Sequence, residues 1–139
     1  MDKPIISGDT ITIPSSQDYL SDVDLFIEGT LRGYGAEESV IADIAISVSE
    51  LVNNAILHGN KAVLEKPVVV TVSRNGRKVK ITVQDQGNGF DAGHIENPIE
   101  DQNLMKEVGR GIFIVRALMD EVEIKVSSDG TKIIIAKSI

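Results

Sequence analysis

The sequence predicts an α+β fold, a two-layer sandwich in which a mixed, mainly antiparallel sheet carries helices on one face. Two turns, Asn75-Gly76 and Asp129-Gly130, each separate a pair of strand-like segments. Both dipeptides accept the positive φ that a two-residue hairpin requires. The helical patterns are grouped and do not alternate with every strand. The order strand, helix, helix, hairpin, loop, helix, hairpin is typical of an antiparallel sheet with helices packed on one side.

The N-terminal part of the chain supplies one strand and two helices. Residues 4–13 predict an edge strand that Pro14 ends. Residues 16–32 carry apolar side chains at helical spacing, which predicts an amphipathic helix. Residues 36–58 have the same spacing over a longer stretch and predict a second helix, closed by Gly59.

The C-terminal part supplies two hairpins and a third helix. The predicted strands cover residues 67–74, 77–85, 121–127 and 131–137. Residues 92–108 have no strong period, so we expect a mobile loop there. Residues 109–119 return to helical spacing. The side chains expected to point inward from this helix are Ile112, Val115, Leu118 and Met119.

The composition limits the class of protein. A chain of 139 residues with 42% hydrophobic and 25% charged residues predicts one soluble domain, residues 1–139. There are no cysteines, which excludes disulfides, thiolate zinc sites and cysteine nucleophiles. The longest apolar run has four residues, far below a membrane span. The start, MDKPIISGDT, lacks the pattern of a signal peptide. We therefore expect a cytoplasmic protein that does not enter a membrane.

The net charge is −7, from 14 basic and 21 acidic residues. This balance disfavours direct binding of nucleic acid, which needs a basic face against the phosphates. It still allows a bound nucleotide, because backbone N–H groups and a metal ion can hold phosphates inside an acidic protein.

The second predicted helix has a polar stripe opposite its apolar side. The stripe consists of Asp43, Ser47, Glu50 and Asn54. A solvated surface is the ordinary explanation of such a stripe. Asn53 and Asn54, however, are poor residues for a helix interior, and apolar Ile46 and Leu51 flank the stripe. Because Glu50 and Asn54 lie one turn apart, their oxygens could serve a hard cation such as Mg²⁺. His58, in the last turn, is interpreted as a partner of free carbonyls and not as a catalytic group.

Two glycine-containing segments suit a nucleotide. In DQGNGF, residues 85–90, a buried Asp85 could accept a hydrogen bond from the exocyclic amine of adenine, and Gly87 and Gly89 would let the base pack against bare backbone. Taken alone, the segment is equally explained as a tight turn. In GRGI, residues 109–112, glycines at a helix start leave N–H groups free for phosphate. The chain has no GxxxxGK[ST] motif, so this is not a P-loop.

Four segments in order resemble the GHKL (Bergerat) ATP-binding fold of gyrase, Hsp90, histidine kinases and MutL. They are ELVNNAILHGN (50–60), DQGNGF (85–90), GRGI (109–112) and DGT (129–131). Within that superfamily the chain is similar to the small bacterial anti-sigma-factor serine/threonine kinases. The stretch GRGIFIVRALMDEV resembles that group's segment after the lid, and no pair of phosphoacceptor-histidine helices precedes the domain. Ile112 stands where leucine is commoner in the family.

The resemblance implies roles for individual residues. Glu50 matches the general base and Asn54 the ligand of Mg²⁺. Asp85 matches the adenine-binding aspartate, with Gly87 and Gly89 lining the base pocket, and Thr131 supports that site. The phosphate-side loop is matched by Gly109, Arg110 and Gly111. Arg110 could touch phosphate or face solvent.

The resemblance also implies a function. It predicts an ATP-dependent serine/threonine kinase that phosphorylates a serine of a STAS-type anti-anti-sigma partner and sequesters a sigma factor, as a homodimer. The alternative is a non-catalytic module in which ATP shapes a docking face for a protein partner. A degenerate fold that binds no nucleotide is a third possibility. The residues themselves support the binding of Mg-ATP.

Overall fold

Six antiparallel strands form one sheet in the structure, a computed structural model that describes residues 3–87 and 109–139. The strands are β1 (Ile5–Ser7), β2 (Thr10–Ile13), β3 (Val68–Asn75), β4 (Lys78–Gln84), β5 (Glu121–Ser127) and β6 (Gly130–Ser138). Their order across the sheet is β1-β2-β3-β4-β6-β5. The predicted α+β class is confirmed. Every pair among the described strands is antiparallel, so the sheet has no parallel element there, although the sequence had suggested a mixed sheet.

Three α-helices accompany the sheet within these two described ranges. They are α1 (Leu20–Gly33), α2 (Glu38–Asn54) and α3, residues 109–118. A short 3₁₀ helix, Gln17–Tyr19, leads into α1. At its C-terminal end α2 widens into a π-helical turn, Ala55–Gly59, because the N–H of Asn60 bonds to the carbonyl of Ala55, five residues earlier. This turn places His58 and Gly59 beside the C-terminal end of β4.

The core lies between one face of the sheet and the buried sides of α1 and α2. Alternate residues of the central strands point into it, as the period-2 pattern of β4 requires. In register, Val70 faces Val83 and Val72 faces Ile81 across β3 and β4. From α2 the side chains of Ile44, Val48, Leu51 and Val52 are fully buried against this face. Removing that apolar surface from water holds the helix on the sheet.

Two sequence-based expectations are wrong in detail. Residues 4–13 do not form one edge strand but a hairpin, in which β1 pairs with β2. Gly8 makes the reversal possible, because its φ of +57° lies in the left-handed region that glycine tolerates. Ser47, which the sequence placed on the side of α2 opposite the apolar one, is instead fully buried, and its hydroxyl donates to the carbonyl of Asp43 within the helix.

One helical stretch of the described chain, Glu38–Gly59, is long and apolar enough to cross a membrane by length and composition alone. It is α2 with its π turn, and its apolar side forms the centre of the core. A core helix meets the same criteria, so this stretch is weak evidence for a membrane span.

Candidate nucleotide site

A pocket opens between the end of α2, the start of α3 and the neighbouring ends of β4 and β6. Its volume is about 450 Å³, a figure that includes open solvent at its mouth. Apolar side chains form most of its wall, and a few polar groups reach it. The lining residues are Leu51, Asn54, Ala55, His58, Gly59, Val83, Asp85, Ile112, Thr131 and Ile133. Three residues predicted for the site, Asn54, Asp85 and Thr131, therefore meet in one cavity.

Asp85 follows β4 directly and is buried, with 6% of its surface exposed. Its Oδ1 accepts hydrogen bonds from the backbone N–H groups of Gly87 and Thr131, each 3.0 Å long. The N–H of Asp85 in turn donates to the carbonyl of Thr131. Among the described residues no hydrogen bond reaches Oδ2. One carboxylate oxygen thus fixes the side chain, and the other is left to accept a donor in the pocket.

The electrostatics of Asp85 reflect this burial. Desolvation raises the pKa of its carboxyl above the ordinary value of 3.8. The two N–H groups that bond to Oδ1 favour the charged form and offset part of the rise.

Glycines surround Asp85 because no side chain fits there. A Cβ on Gly59 would overlap the carboxylate of Asp85, and a Cβ on Gly130 would overlap its backbone carbonyl. Gly130 also has a φ of +144°. Gly87 lies against the carbonyl of Gly59, where a Cβ would clash. Gly87 thus supports the turn that holds Asp85 and is not itself among the lining residues of the pocket.

At the other end of the cleft, the first described turn of α3 meets α2. A Cβ on Gly111 would lie 2.8 Å from the Nδ2 of Asn54 and 3.3 Å from the Oε2 of Glu50. The backbone of Gly111 therefore packs closely against both side chains, and an added methyl group would have to displace Asn54. Glu50 is half-buried. Gly111 thus lies beside Glu50 and Asn54, although it is far from both in the sequence.

The Nδ2 atom of Asn54 is buried and has no hydrogen-bond partner in the described part of the chain. A buried amide without a partner is costly, and such groups mark sites that something else completes. Rotation of the amide by 180° places the oxygen at the same point. An amide oxygen beside a carboxylate suits Mg²⁺, which keeps several waters and takes few protein ligands. Within residues 3–87 and 109–139 no cluster of three or more His, Cys, Asp or Glu forms a larger metal cage.

The remaining residues predicted for the site lie in different surroundings. Thr131 is buried and acts through its backbone N–H. Gly109 and Arg110 are exposed. His58, interpreted as a cap, lines the pocket. Gly89 and the predicted loop at 92–108 lie outside the described residues.

Sequence reasoning missed Asn60, which is 1% exposed and lies behind Asp85. Its Oδ1 accepts the N–H of Gln86 at 2.7 Å, and its Nδ2 donates to groups on three other residues. The signal available in the sequence was an asparagine directly after His58-Gly59, where a helix end already explained a polar residue.

The fold and the pocket together define a domain of the ATP-binding class. A family model described as the histidine kinase-like ATPase domain matches residues 13–137. Because this match covers most of the sequence, the chain belongs to that family, and the resemblance to GHKL proteins is confirmed. An ATPase domain of this kind implies that ATP is bound.

Relatives with curated names narrow the class further. The chain is 32% identical over 119 residues to a serine-protein kinase RsbW of Staphylococcus aureus, a match that covers 81% of this chain and 75% of the relative. Among solved structures it is similar to the RsbU and RsbW domains of a Mycobacterium tuberculosis protein, with a TM-score of 0.70 and 25% identity. That match covers 97% of this chain and 31% of the longer one. The predicted similarity to bacterial serine kinases is confirmed at the level of the family.

A further solved structure, the SiaB–SiaC complex from Pseudomonas aeruginosa, shares the fold alone. Its TM-score is 0.67 at 12% identity, with coverage of 99% of this chain and 90% of that one.

Proposed function

We propose that this chain is an ATP- and Mg²⁺-dependent protein serine/threonine kinase that phosphorylates a serine of a STAS-type anti-anti-sigma partner and sequesters a sigma factor. The observation that carries the proposal is the cleft itself. A base acceptor, Asp85, lies at one end, and a carboxylate and amide pair, Glu50 and Asn54, lies at the other, beside Gly111.

At the base end, the open Oδ2 of Asp85 accepts the exocyclic amine of adenine. The base packs between apolar side chains that include Leu51, Ile112 and Ile133. Such an acceptor selects adenine, because a base that presents an oxygen at the same position would leave the carboxylate without a donor. Thr131 and Gly87 hold the carboxylate in place, and Gly89 follows in the same segment.

At the phosphate end, Asn54 would hold Mg²⁺ and Glu50 would accept the proton of the attacking serine hydroxyl. Held there, Mg²⁺ would offset the negative charge of the phosphates. Gly109, Arg110 and Gly111 bring backbone N–H groups and a guanidinium to the same end. Because Gly111 has no side chain, the phosphates can approach the Glu50 and Asn54 side chains.

The partners follow from the kinase class. Relatives of this chain carry the name serine-protein kinase RsbW, which supports serine as the acceptor. A structural neighbour was solved as a complex of two proteins, SiaB and SiaC, which supports a protein partner for this fold. The homodimer, the cytoplasmic location and the single-domain organisation stay predictions.

The direct test incubates the protein with Mg²⁺, γ-labelled ATP and the STAS protein encoded by the same organism. We expect label on one serine of that protein, and a fall in the transfer rate of about 10²- to 10⁴-fold in Glu50→Ala, the range for loss of a general base. ATP affinity should stay within about threefold, because Glu50 contacts no part of the base pocket. Tight ATP binding by the wild type without transfer to any serine would instead identify a non-catalytic switch module. Co-purification of a sigma factor from native cells tests the sequestering role.

A further inference from the structure

Asn60 joins three segments behind the pocket. Its Nδ2 donates to the hydroxyl of Ser15 at 2.9 Å and to the carbonyls of Lys66 and Pro67 at 2.8 and 3.1 Å. Its Oδ1 accepts the N–H of Gln86 at 2.7 Å. The residue thereby ties the segment after β2 and the entry to β3 to the turn that carries Asp85. Among the described side chains, the acceptor of the N–H of Gln86 is that of Asn60.

The surroundings of Asn60 fix which way its amide points. Two carbonyl oxygens lie at the nitrogen and can only accept, whereas a backbone N–H lies at the oxygen and can only donate. The hydroxyl of Ser15 donates to the carbonyl of Lys66 and so is free to accept from Asn60. If the amide were rotated by 180°, its oxygen would face the carbonyls of Lys66 and Pro67, and its nitrogen would face the N–H of Gln86. An aspartate here would place an oxygen against two carbonyls, and alanine would leave a backbone N–H unpaired.

The backbone around Asn60 is also unusual. A π turn precedes it, and the next two residues, Lys61 and Ala62, have φ values of 52° and 57°. Left-handed conformations cost non-glycine residues free energy, and they persist where the surrounding contacts hold them. The buried amide of Asn60 supplies such contacts. The chain therefore keeps a strained exit from α2 at the position that puts Asn60 beside Gln86.

We propose that Asn60 is a positioning residue for base recognition: by holding the N–H of Gln86, it keeps the Asp85 turn in the register that aims Oδ2 into the pocket. The inference rests on the proposed role of Asp85 in binding adenine. Without the contact from Asn60, the turn is held by the two bonds to Oδ1 and by the bond from the N–H of Asp85 to the carbonyl of Thr131. These bonds hold Asp85 itself, whereas the backbone of the next residue, Gln86, is held by Asn60.

The test compares the affinities of ATP and of purine riboside triphosphate, which lacks the exocyclic amine, by calorimetry. In the wild type we expect ATP to bind about tenfold to hundredfold more tightly, the range for one hydrogen bond to a charged acceptor. In Asn60→Ala we expect this ratio to fall by about fivefold or more. Asn53→Ala is the matched control, since Asn53 lies on α2 with an exposed bond to Gln17 and should leave the ratio unchanged.

A purely structural role predicts a different result. It lowers the thermal midpoint of Asn60→Ala and weakens both nucleotides alike, and an unchanged ratio in the folded variant overturns the inference. If Asn60→Ala does not melt cooperatively, Ser15→Ala decides, because it removes one acceptor from the same network. A fall of the ratio by about twofold to threefold supports the inference, and no fall overturns it. A wild type that binds no ATP, or binds both nucleotides equally, refutes the proposed base site first and the role of Asn60 with it.

Discussion

The base end and the phosphate end of the cleft differ in how far their polar groups are satisfied by the protein. At the base end, Asp85 is buried and its Oδ1 accepts two backbone N–H groups. Gly59 packs against its carboxylate, and Gly130 packs against its backbone carbonyl. At the phosphate end, the Nδ2 of Asn54 is buried without a partner among the described residues, and Gly109 and Arg110 are exposed. Under the proposed function, this difference means that the base site is preorganised, whereas the phosphate site would be completed by its ligands.

A pair of glycine variants should show the largest contrast. In Gly59→Ala the new Cβ would overlap the carboxylate of Asp85, which is held by the backbone and cannot move away. We expect a loss of about 3 kcal/mol in unfolding free energy, as for overpacking a rigid site. In Gly111→Ala the Cβ meets the end of the Asn54 side chain at 2.8 Å, which can rotate. The loss there should be about 1 kcal/mol or less, and equal losses in urea titrations of the two variants would contradict the comparison.

Asp85→Asn tests the base end by chemistry instead of volume. The variant keeps the acceptor at Oδ1 for Gly87 and Thr131 but sets an amide nitrogen against the adenine amine. We expect ATP affinity to fall by about tenfold to hundredfold with the fold intact. Calorimetry measures the fall, and circular dichroism serves as the control for folding. Unchanged affinity would remove Asp85 from the site.

The same variant has a pH signature. Because burial raises the pKa of Asp85 in the folded state above its unfolded value of 3.8, ionisation of this group favours unfolding. In the wild type, the loss of unfolding free energy from this ionisation is absent at pH values below the unfolded pKa. It is complete at pH values above the folded pKa. Asp85→Asn should therefore gain stability relative to the wild type as pH rises from about 3 to 7. Thermal midpoints of both proteins across that range check the sign. A variant whose stability falls relative to the wild type as pH rises would contradict it.

Asn54→Ala tests the phosphate end of the cleft. Since the Nδ2 of Asn54 has no partner among the described residues, its removal should change the unfolding free energy by less than about 1 kcal/mol. The increase in ATP affinity on adding Mg²⁺ should fall by about tenfold. Titrations with Mg²⁺ and with EDTA measure that increase. A full increase in the variant would exclude Asn54 as the ligand.

The smallest effect is expected away from both ends. Lys78 and Glu121 form a 2.7 Å ion pair on the surface of the sheet, with about half of each side chain exposed. Exposed pairs contribute little, because water and salt screen them. Lys78→Ala should change the unfolding free energy by about 0.5 kcal/mol or less and leave ATP affinity unchanged. A larger change in either quantity would show that the two ends are not the sensitive parts of the molecule.

Much of the fold followed from local signals. Asn75-Gly76 and Asp129-Gly130 located two hairpins, but each turn is shifted by one residue from the predicted pair. Asn75 pairs with Lys78 and Ser127 pairs with Gly130, so the two-residue turns are Gly76-Arg77 and Ser128-Asp129. The spacing of Glu50 and Asn54 was enough to put both on one side of α2. The hairpin at residues 5–13 was missed because its strands, of three and four residues, are too short to show separate periods.

The network behind the pocket could not be predicted in the same way. Asn60 bonds to Ser15, 45 residues earlier, and to Gln86, 26 residues later. Nothing local to Asn60 indicates either contact, since they exist only once the sheet is assembled. The burial of Ser47 was hidden for a similar reason, since a helical wheel of α2 alone does not show what the rest of the chain packs against that side.

The central claim is that one cleft holds adenine at Asp85 and the metal-bound phosphates at Asn54. A crystal structure of the protein with Mg²⁺ and a non-hydrolysable ATP analogue measures it most directly. We predict the exocyclic amine within hydrogen-bond distance of Oδ2 of Asp85, and the metal ion on the side-chain oxygen of Asn54 next to Gly111. A nucleotide bound elsewhere, with these side chains in contact only with protein or bulk water, would contradict the account.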